Sequence, residues 1–557
     1  MTTFGAVLRR GRGWLPLISI AALLGSLTVL ALPTVLGRAV DAVVAEEDPS
    51  AILASPGRWV LIACGLIALG IVCDVIEVIA GTACVAGTTA WLRRRLVSQV
   101  LAAGPAGTRH FATGDLVSRV SSNATDAARA GPATITAVTA TVPPIGSLVL
   151  LFLISPWLAL AFLGGILLVV AVLWFFARRT AEISLAYQQT QGRIAAALTE
   201  ALAGLRTITA AGTAVREEQR VLRLLPQLHA HGLQTWQMLA RSGAQAAVVG
   251  PLVLIAVLAV GGIELVNRQI TPGEYFAAAQ YAVIGAGLGG LTGVLGQLAR
   301  GQAGIARISE VTAVPAVGYG ALTLPAGPGR LVFDEVTVRA GDELLLDRVQ
   351  LDLPGGAAVA VVGPNGAGKS VLAAVAGRLQ DPDSGQVRLD GVPLAGLSHE
   401  ALRTAVKCAF ERPALIGSTV GDAISVGSAQ PEQLLASARA THVHEFVSRM
   451  PDGYSTPLTE APLSGGEAQR LGLARAWQAE RLLILDDATS SLDTATELQI
   501  SETLMGDRQQ RTRLIITHRA GTAARADLVV WLDQGRVRAV GRHHELWRDP
   551  CYRKAFG

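Results

Sequence analysis

The chain has 557 residues, 51% of them apolar and only 16% charged, with a mean hydropathy of +0.43 and a formal net charge of +4. That length exceeds what one core holds, so at least two domains are expected. The charged fraction, against about 25% in an average soluble chain, argues against a wholly water-soluble protein, and the small net charge gives no sign of a nucleic-acid partner.

Up to about residue 300, long apolar runs alternate with polar segments. Six runs are long enough to cross a bilayer as helices: Trp14–Gly37, Trp59–Gly87, Pro132–Ile154, Trp157–Ala177, Gln245–Val266 and Gly273–Leu298. Arginine placement orients them. Arg9, Arg10 and Arg12 precede the first run, Arg93, Arg94, Arg95, Arg109, Arg119 and Arg129 follow the second, and a further group from Arg178 to Arg241 follows the fourth. The segment after the first run instead carries Asp41, Glu46, Glu47 and Asp48. The N-terminus, the two long loops and the C-terminal half are therefore expected in the cytosol, and both loops have the Ala- and Arg-rich composition of helices. Pro143–Pro144 in the third run predicts a kink. Asp74 and Glu77 lie midway along the second run and share a helix face. Carboxylates at that depth are costly, so they either contact a cationic or polyhydroxylated cargo, serve a proton-linked step, or glue one helix to another.

Residues 311–330, with the run VTAVPAVGYGALTLPAGPG, have a linker's proline and glycine content. From Leu331 the pattern changes to short β-type runs alternating with helical stretches, the signature of an α/β domain. The expected division is thus a transmembrane domain over 1–310, a linker over 311–330 and an α/β domain over 331–557. The five cysteines, Cys64, Cys73, Cys84, Cys408 and Cys551, lack metal-ligand spacing and read as free thiols.

The stretch GPNGAGKS comprises Gly363, Pro364, Asn365, Gly366, Ala367, Gly368, Lys369 and Ser370. It follows the apolar strand AAVAVV and opens an apolar helix, as a phosphate-binding P-loop requires. Its glycines let backbone N–H groups face a phosphate, and the helix N-terminus adds favourable partial charge. Lys369, one of only three lysines in the chain, places a compact ammonium on the β- and γ-phosphates, and Ser370 suits Mg²⁺.

About a hundred residues later come LSGGEAQR (Leu463–Arg470), LLILDDATSSLD (Leu482–Asp493) and ITHR, in that order. With the P-loop, this series resembles the nucleotide-binding domain of ABC transporters over the whole soluble half. Six preceding membrane helices with long cytoplasmic loops resemble the exporter-type half-transporter. Thr113–Asp126 and Glu200–Ala210 are similar to the stretches around that family's two coupling helices. The resemblance implies a multi-pass protein of the inner membrane that binds ATP and Mg²⁺ and works in a lipid bilayer with a second half-transporter. It implies that Asp486 holds Mg²⁺ through water. It also implies that Ser464, Gly465, Gly466 and Glu467 close over ATP held by the second subunit, that His518 steadies the γ-phosphate and attacking water, and that Asp493 lies at the subunit interface.

Three positions depart from the family's pattern. Asp487 stands where the family has Glu. Both are ionised at neutral pH, but Asp reaches about 1.5 Å less, and a misplacement of about 1 Å costs roughly a hundredfold in rate. Glu411 stands where the family has a Gln that touches Mg²⁺ and water, and Arg339 and Ala340 stand where it stacks an aromatic ring on adenine. Together these predict a site that retains ATP and cuts it slowly, in a heterodimer whose other half carries the intact Glu; a homodimer is the alternative. The expected activity is export of an amphipathic small molecule, lipid or peptide. Uptake through the same architecture, for instance of a metal chelate, and a regulatory ATP-binding subunit that does not pump are the alternatives.

Overall fold

A computed structural model describes residues 5, 9–45, 55–286, 291–425, 430–506 and 511–556. The chain divides into two compact units, Met1–Gln99 with Phe111–Val314, and Val100–His110 with Pro315–Gly557.

The first unit is helical. Its main elements are α1 (Leu15–Ala45), α2 (Ser55–Thr108, whose residues from Val100 on belong to the second unit), α3 (Ala124–Thr139), α4 (Val142–Ile154), α5 (Pro156–Ala203), α6 (Leu225–Val266), α7 (Pro272–Ala286) and α8 (Leu291–Ala313). Among the described residues, three helical stretches are long and apolar enough to cross a membrane: Leu15–Val44, Gly57–Thr108 and Thr113–Ile154. The expected fourth and fifth runs fall on shorter described apolar stretches, Pro156–Leu167 and Gly250–Val266, within longer helices. The sixth falls on α7 and α8, and its residues 287–290 lie outside the described ones. Large apolar side chains such as Leu61, Leu153 and Val266 stay exposed, the pattern of helices whose outer face meets lipid.

The third run does not simply kink. Helix α3 ends at Thr139 and α4 restarts at Val142, one residue before Pro143. In a helix interior a proline lacks the N–H its turn needs and clashes with the carbonyl four residues back, whereas in the first turn that N–H has no partner to lose. The Pro143–Pro144 pair therefore begins a helix instead of bending one. Gly104 breaks α2 with a φ of 68°, just before Pro105. Helices α1 and α7 meet closely: a Cβ on Gly37 would lie 2.5 Å from the Gly273 carbonyl oxygen, and Tyr281 Oη donates to Leu30 O at 2.9 Å.

Ahead of α3, the short helix Thr113–Ser118 passes through a π-helical turn, Arg119–Asn123. Buried Arg119 ties this stretch to α8, with Nε 2.8 Å from Asp115 Oδ2 and Nη1 2.7 Å from Glu310 Oε2. The other cytoplasmic loop breaks at Gly204 and continues as Leu205–Ala210.

The second unit is α/β. Strands β1 (Leu331–Ala340), β2 (Glu343–Leu353), β4 (Ser384–Leu389) and β5 (Val392–Pro393) form an antiparallel sheet in the order β2-β1-β4-β5. A six-stranded sheet runs β10-β9-β3-β8-β7-β6. Its members are β3 (Ala358–Val362), β6 (Val406–Phe410), β7 (Leu482–Asp486), β8 (Thr512–Ile516), β9 (Leu528–Asp533) and β10 (Arg536–Gly541). β6, β7, β8, β3 and β9 are mutually parallel and β10 closes the edge antiparallel. Such a sheet is covered on both faces, which is why β3 and β8 are buried at every residue. Helices α9 (Lys369–Ala376), α10 (Gly465–Ala476) and α11 (Thr494–Met505) complete the parts used below.

The Pro- and Gly-rich segment is not a free spacer along its length. Gly320 N–H donates to Leu397 O and Leu322 N–H to Gly396 O, both at 3.0 Å, and the Tyr319 ring lies under the Arg378 guanidinium, 4.9 Å from its centroid. Composition reported backbone freedom there, but not the partner that uses it.

Candidate nucleotide-binding site

Four adjacent parallel strands end on the same edge of the large sheet, and each C-terminal end carries a residue singled out above. β3 leads into Gly363, β8 into Thr517 and His518, β7 ends on Asp486 and continues to Asp487, and β6 leads into Glu411. The pairing is in register: Val361 faces Ile516, Ile516 faces Asp486, and Asp486 faces Phe410. In open α/β sheets the crevice beyond the C-terminal strand ends is where ligands bind.

The loop after β3 needs its glycines. Gly366 and Gly368 have φ of 81° and 95°, and a Cβ on Gly368 would lie 2.6 Å from Leu345 O. Helix α9 opens at Lys369, so the amides of its first turn have no partner within the helix. The buried Lys369 ammonium folds back on the loop, donating to Gly363 O at 2.8 Å and Pro364 O at 2.9 Å. Burial lowers its pKa, against the pull of Asp487 and Asp486. Ser370 Oγ donates to Asp486 Oδ1 at 3.0 Å. Burial pushes the Asp486 carboxyl above the ordinary range, held down in part by that hydrogen bond and pushed further by Asp487 and Glu411.

Asp487 adopts a left-handed backbone, φ 49°, with its N–H on Ile516 O. Its Oδ2 lies 3.5 Å from His518 Nε2, beyond hydrogen-bond length. Burial raises its pKa too, opposed by His518 and Lys369. Glu411 acts on both aspartates through its charge, while its backbone carbonyl is held by another residue. Arg339 is exposed on β1, its N–H bonded to Asp383 Oδ2 at 2.6 Å.

These observations fit the groups a P-loop implies. A glycine-lined loop and an unpaired helix N-terminus suit phosphates, and a hydroxyl 3.0 Å from a carboxylate that burial and like charge destabilise suits a divalent cation.

The signature stretch forms a site of its own. Ser464 caps α10 in a reciprocal box: Glu467 N–H donates to Ser464 Oγ at 3.3 Å, and Glu467 Oε2 accepts from Ser464 N–H at 2.8 Å and from its hydroxyl at 2.7 Å. Burial pushes Glu467 up, but the two bonds from Ser464 together with the charges of Arg470 and Arg449 outweigh it and leave the carboxyl below the ordinary range. No hydrogen bond or ion pair joins Ser464, Gly465, Gly466 or Glu467 to the P-loop among the described residues. Asp493 caps α11, accepting from the N–H groups of Ala495 and Thr496. Asp74 and Glu77 belong to α2 in the helical unit, where they line a cavity.

One residue escaped the sequence reading. Gln469, in the first half of α10 and 2% exposed, donates from Nε2 to Glu411 O at 2.7 Å and to Ser490 Oγ at 3.0 Å, and accepts from Ser491 N–H at 2.9 Å. It joins the end of β6 to the turn after Asp487. Its place in LSGGEAQR was its only sequence signal.

The chain belongs to the ABC transporter family: residues 15–286 match the family "ABC transporter transmembrane region" and residues 346–490 match "ABC transporter". It is an ATP-hydrolysing transporter of the inner membrane with half-transporter architecture, and half-transporters dimerise. It is 42% identical over 98% of its length, and 86% of the other's, to "ABC transporter ATP-binding protein RamA" of Streptomyces coelicolor. To an "ATP-dependent lipid A-core flippase" of Alkalilimnicola ehrlichii it is 30% identical, covering 82% of this chain and 81% of that one. A solved structure described as a bacterial Atm1-family ABC exporter with ATP bound superposes with a TM-score of 0.82 at 24% identity, over 99% of this chain and 98% of the other, a likeness of fold.

Proposed function

We propose that this chain is the slow-site half of a heterodimeric ATP-driven exporter of an amphipathic small molecule, lipid or peptide. The observation that carries the proposal is the identity and placement of Asp487. It follows the strand that delivers Asp486, at the position from which an attacking water is held, with an arm one methylene short. In this reading the amides after Gly363 and the Lys369 ammonium bind the phosphates, and Ser370, Asp486 and Glu411 hold Mg²⁺. Bound Mg²⁺–ATP supplies the phosphoanhydride whose cleavage drives transport. His518 orients the γ-phosphate end. Asp487 accepts a proton from water at too great a reach to do so quickly. Ser464, Gly465 and Gly466 present a hydroxyl and backbone amides to the nucleotide of the second subunit. The exporter fold and the lipid-flipping activity that the flippase relative's name states support outward movement of an amphiphile.

The test is ATP turnover by the full chain reconstituted alone. The expected result is ATP retention with slow hydrolysis that changes less than about threefold in Asp487→Asn, since a misplaced base contributes little. Brisk turnover that collapses in the variant overturns the slow-site reading. Accumulation of cargo in right-side-out vesicles, in place of its expulsion, overturns export. ATP retention without transport in any pairing favours a regulatory subunit.

A further inference from the structure

The helical unit carries an open cavity of about 1140 Å³ lined by parts of α1, α2, α3 and α8. Asp74 and Glu77 face it from α2, one turn apart, and neither carboxylate has a hydrogen bond or ion pair among the described residues. Among the described residues of this chain, then, neither carboxylate ties α2 to a neighbouring helix. Further along the same helix Thr89, 8% exposed, lines the cavity with a hydroxyl that has no partner among the described residues. At 1.5 Å per residue it lies about 18 Å along the axis from Glu77. Between them the wall is mostly small and apolar, with Val85, Ala86 and Ala133, and carries one further hydroxyl, Thr82.

The basic residues of the lining are already engaged. Arg93 donates to Val120 O at 3.1 Å and Ser121 O at 3.0 Å, and Arg129 lies 3.8 Å from Asp126. Arg129 is paired with Asp126, and Arg93, which keeps its charge because its partners are neutral carbonyls, lies about 24 Å along α2 from Glu77, so the charge around Asp74 and Glu77 themselves is negative. Two unpaired carboxylates at membrane depth are tolerated where water or a counter-charge reaches them.

We infer that this cavity selects a cationic amphiphile, with an ammonium or guanidinium group seated between Asp74 and Glu77, its apolar body against the Val85–Ala86–Ala133 wall, and a polar group reaching Thr89. The inference rests on the transport reading above and names the cargo class for it. The volume slightly exceeds the roughly 300–1,000 Å³ of sites that hold a drug-sized molecule, leaving room for one with space to spare.

Tetraphenylphosphonium and tetraphenylborate test it, being nearly the same shape with opposite charge. Equilibrium dialysis is done on the full chain in phosphatidylcholine nanodiscs without nucleotide. Saturable binding of the cation is expected, with none of the anion, and the Asp74→Asn/Glu77→Gln double variant should weaken the cation's Kd at least about tenfold. Equal binding of the two ions, no saturable binding of the cation, or an unchanged Kd in the double variant overturns the inference. Trinitrophenyl-ATP binding reports whether the variant is folded; if it is not, the comparison of the two ions on the unaltered chain decides alone. A chain that binds the cation selectively but never pumps keeps this site and overturns the transport reading. A chain that pumps without charge preference does the reverse.

Discussion

Asp487 sits where backbone and chemistry make opposite demands. Its φ of 49° lies in the left-handed region, which costs an ordinary residue about 1–2 kcal/mol and costs Asp and Asn least. Aspartate therefore suits the turn while glutamate suits the reaction. Asp487→Glu should give up a little stability and speed single-turnover hydrolysis of bound ATP by about tenfold or more, the return on restoring about 1.5 Å of reach. A rate that stays flat would mean that something other than arm length limits the site. The same residue shapes the stability of the nucleotide-free protein. Burial raises the Asp487 pKa above its unfolded value, so the folded state binds the proton more tightly and loses stability as pH rises through that raised pKa. Asp487→Asn removes the titration. Its nucleotide-free melting temperature should exceed the parent's at neutral pH, and the gap should close as pH falls below the ordinary carboxylate value of about 3.9. A gap that widens in acid has the wrong sign for this account.

Elements with a local grammar were legible, and bridges between distant elements were not. The strand AVAVV, the glycine loop and the helix opening at Lys369 follow one another in the chain, so their order alone announces a phosphate site. LLILDD gives the next strand and its carboxylates in the same way. Gln469 reads as one more polar residue on a helix, because its partners Glu411 and Ser490 lie 58 and 21 positions away. Arg119 is similar: its ties to Glu310 and the Arg307 carbonyl span nearly the whole helical unit. The Pro143–Pro144 pair was noticed, but whether a proline bends a helix or starts one depends on where the preceding turn stops. Gln469 is the sharpest case to test. Gln469→Leu leaves the Ser491 N–H without its acceptor and the Glu411 carbonyl without its donor, at a cost of about 0.5–1.5 kcal/mol per lost bond, because both residues are exposed to water. Hydrogen exchange should accelerate at Ser491 and the turn around it while the β3 amides stay protected. Unchanged protection at Ser491 would show that the bridge is dispensable.

At the scale of the molecule, one chain carries one P-loop and one LSGGE turn, and the two are not bonded to each other among the described residues. On the proposed function the signature turn serves a nucleotide held by the second subunit, so the two halves of this chain's machinery would serve different ATP molecules. If the second subunit carries the full-length glutamate, the two sites differ in worth, and damage to this chain should be felt unequally. Ser464→Arg puts a bulky cation where the reading places a hydroxyl beside the partner's nucleotide, and should lower turnover of the assembled pair by about a hundredfold, as loss of a transition-state donor does. Asp487→Asn harms only the slow site and should change turnover of the same pair by less than about twofold, because little flux passes through it. In two identical subunits either substitution reaches both sites, and Asp487 is then the acting carboxylate at each, so Asp487→Asn should lower turnover far more than twofold. Steady-state ATPase of the pair, measured for both variants in one membrane preparation, separates the two assemblies.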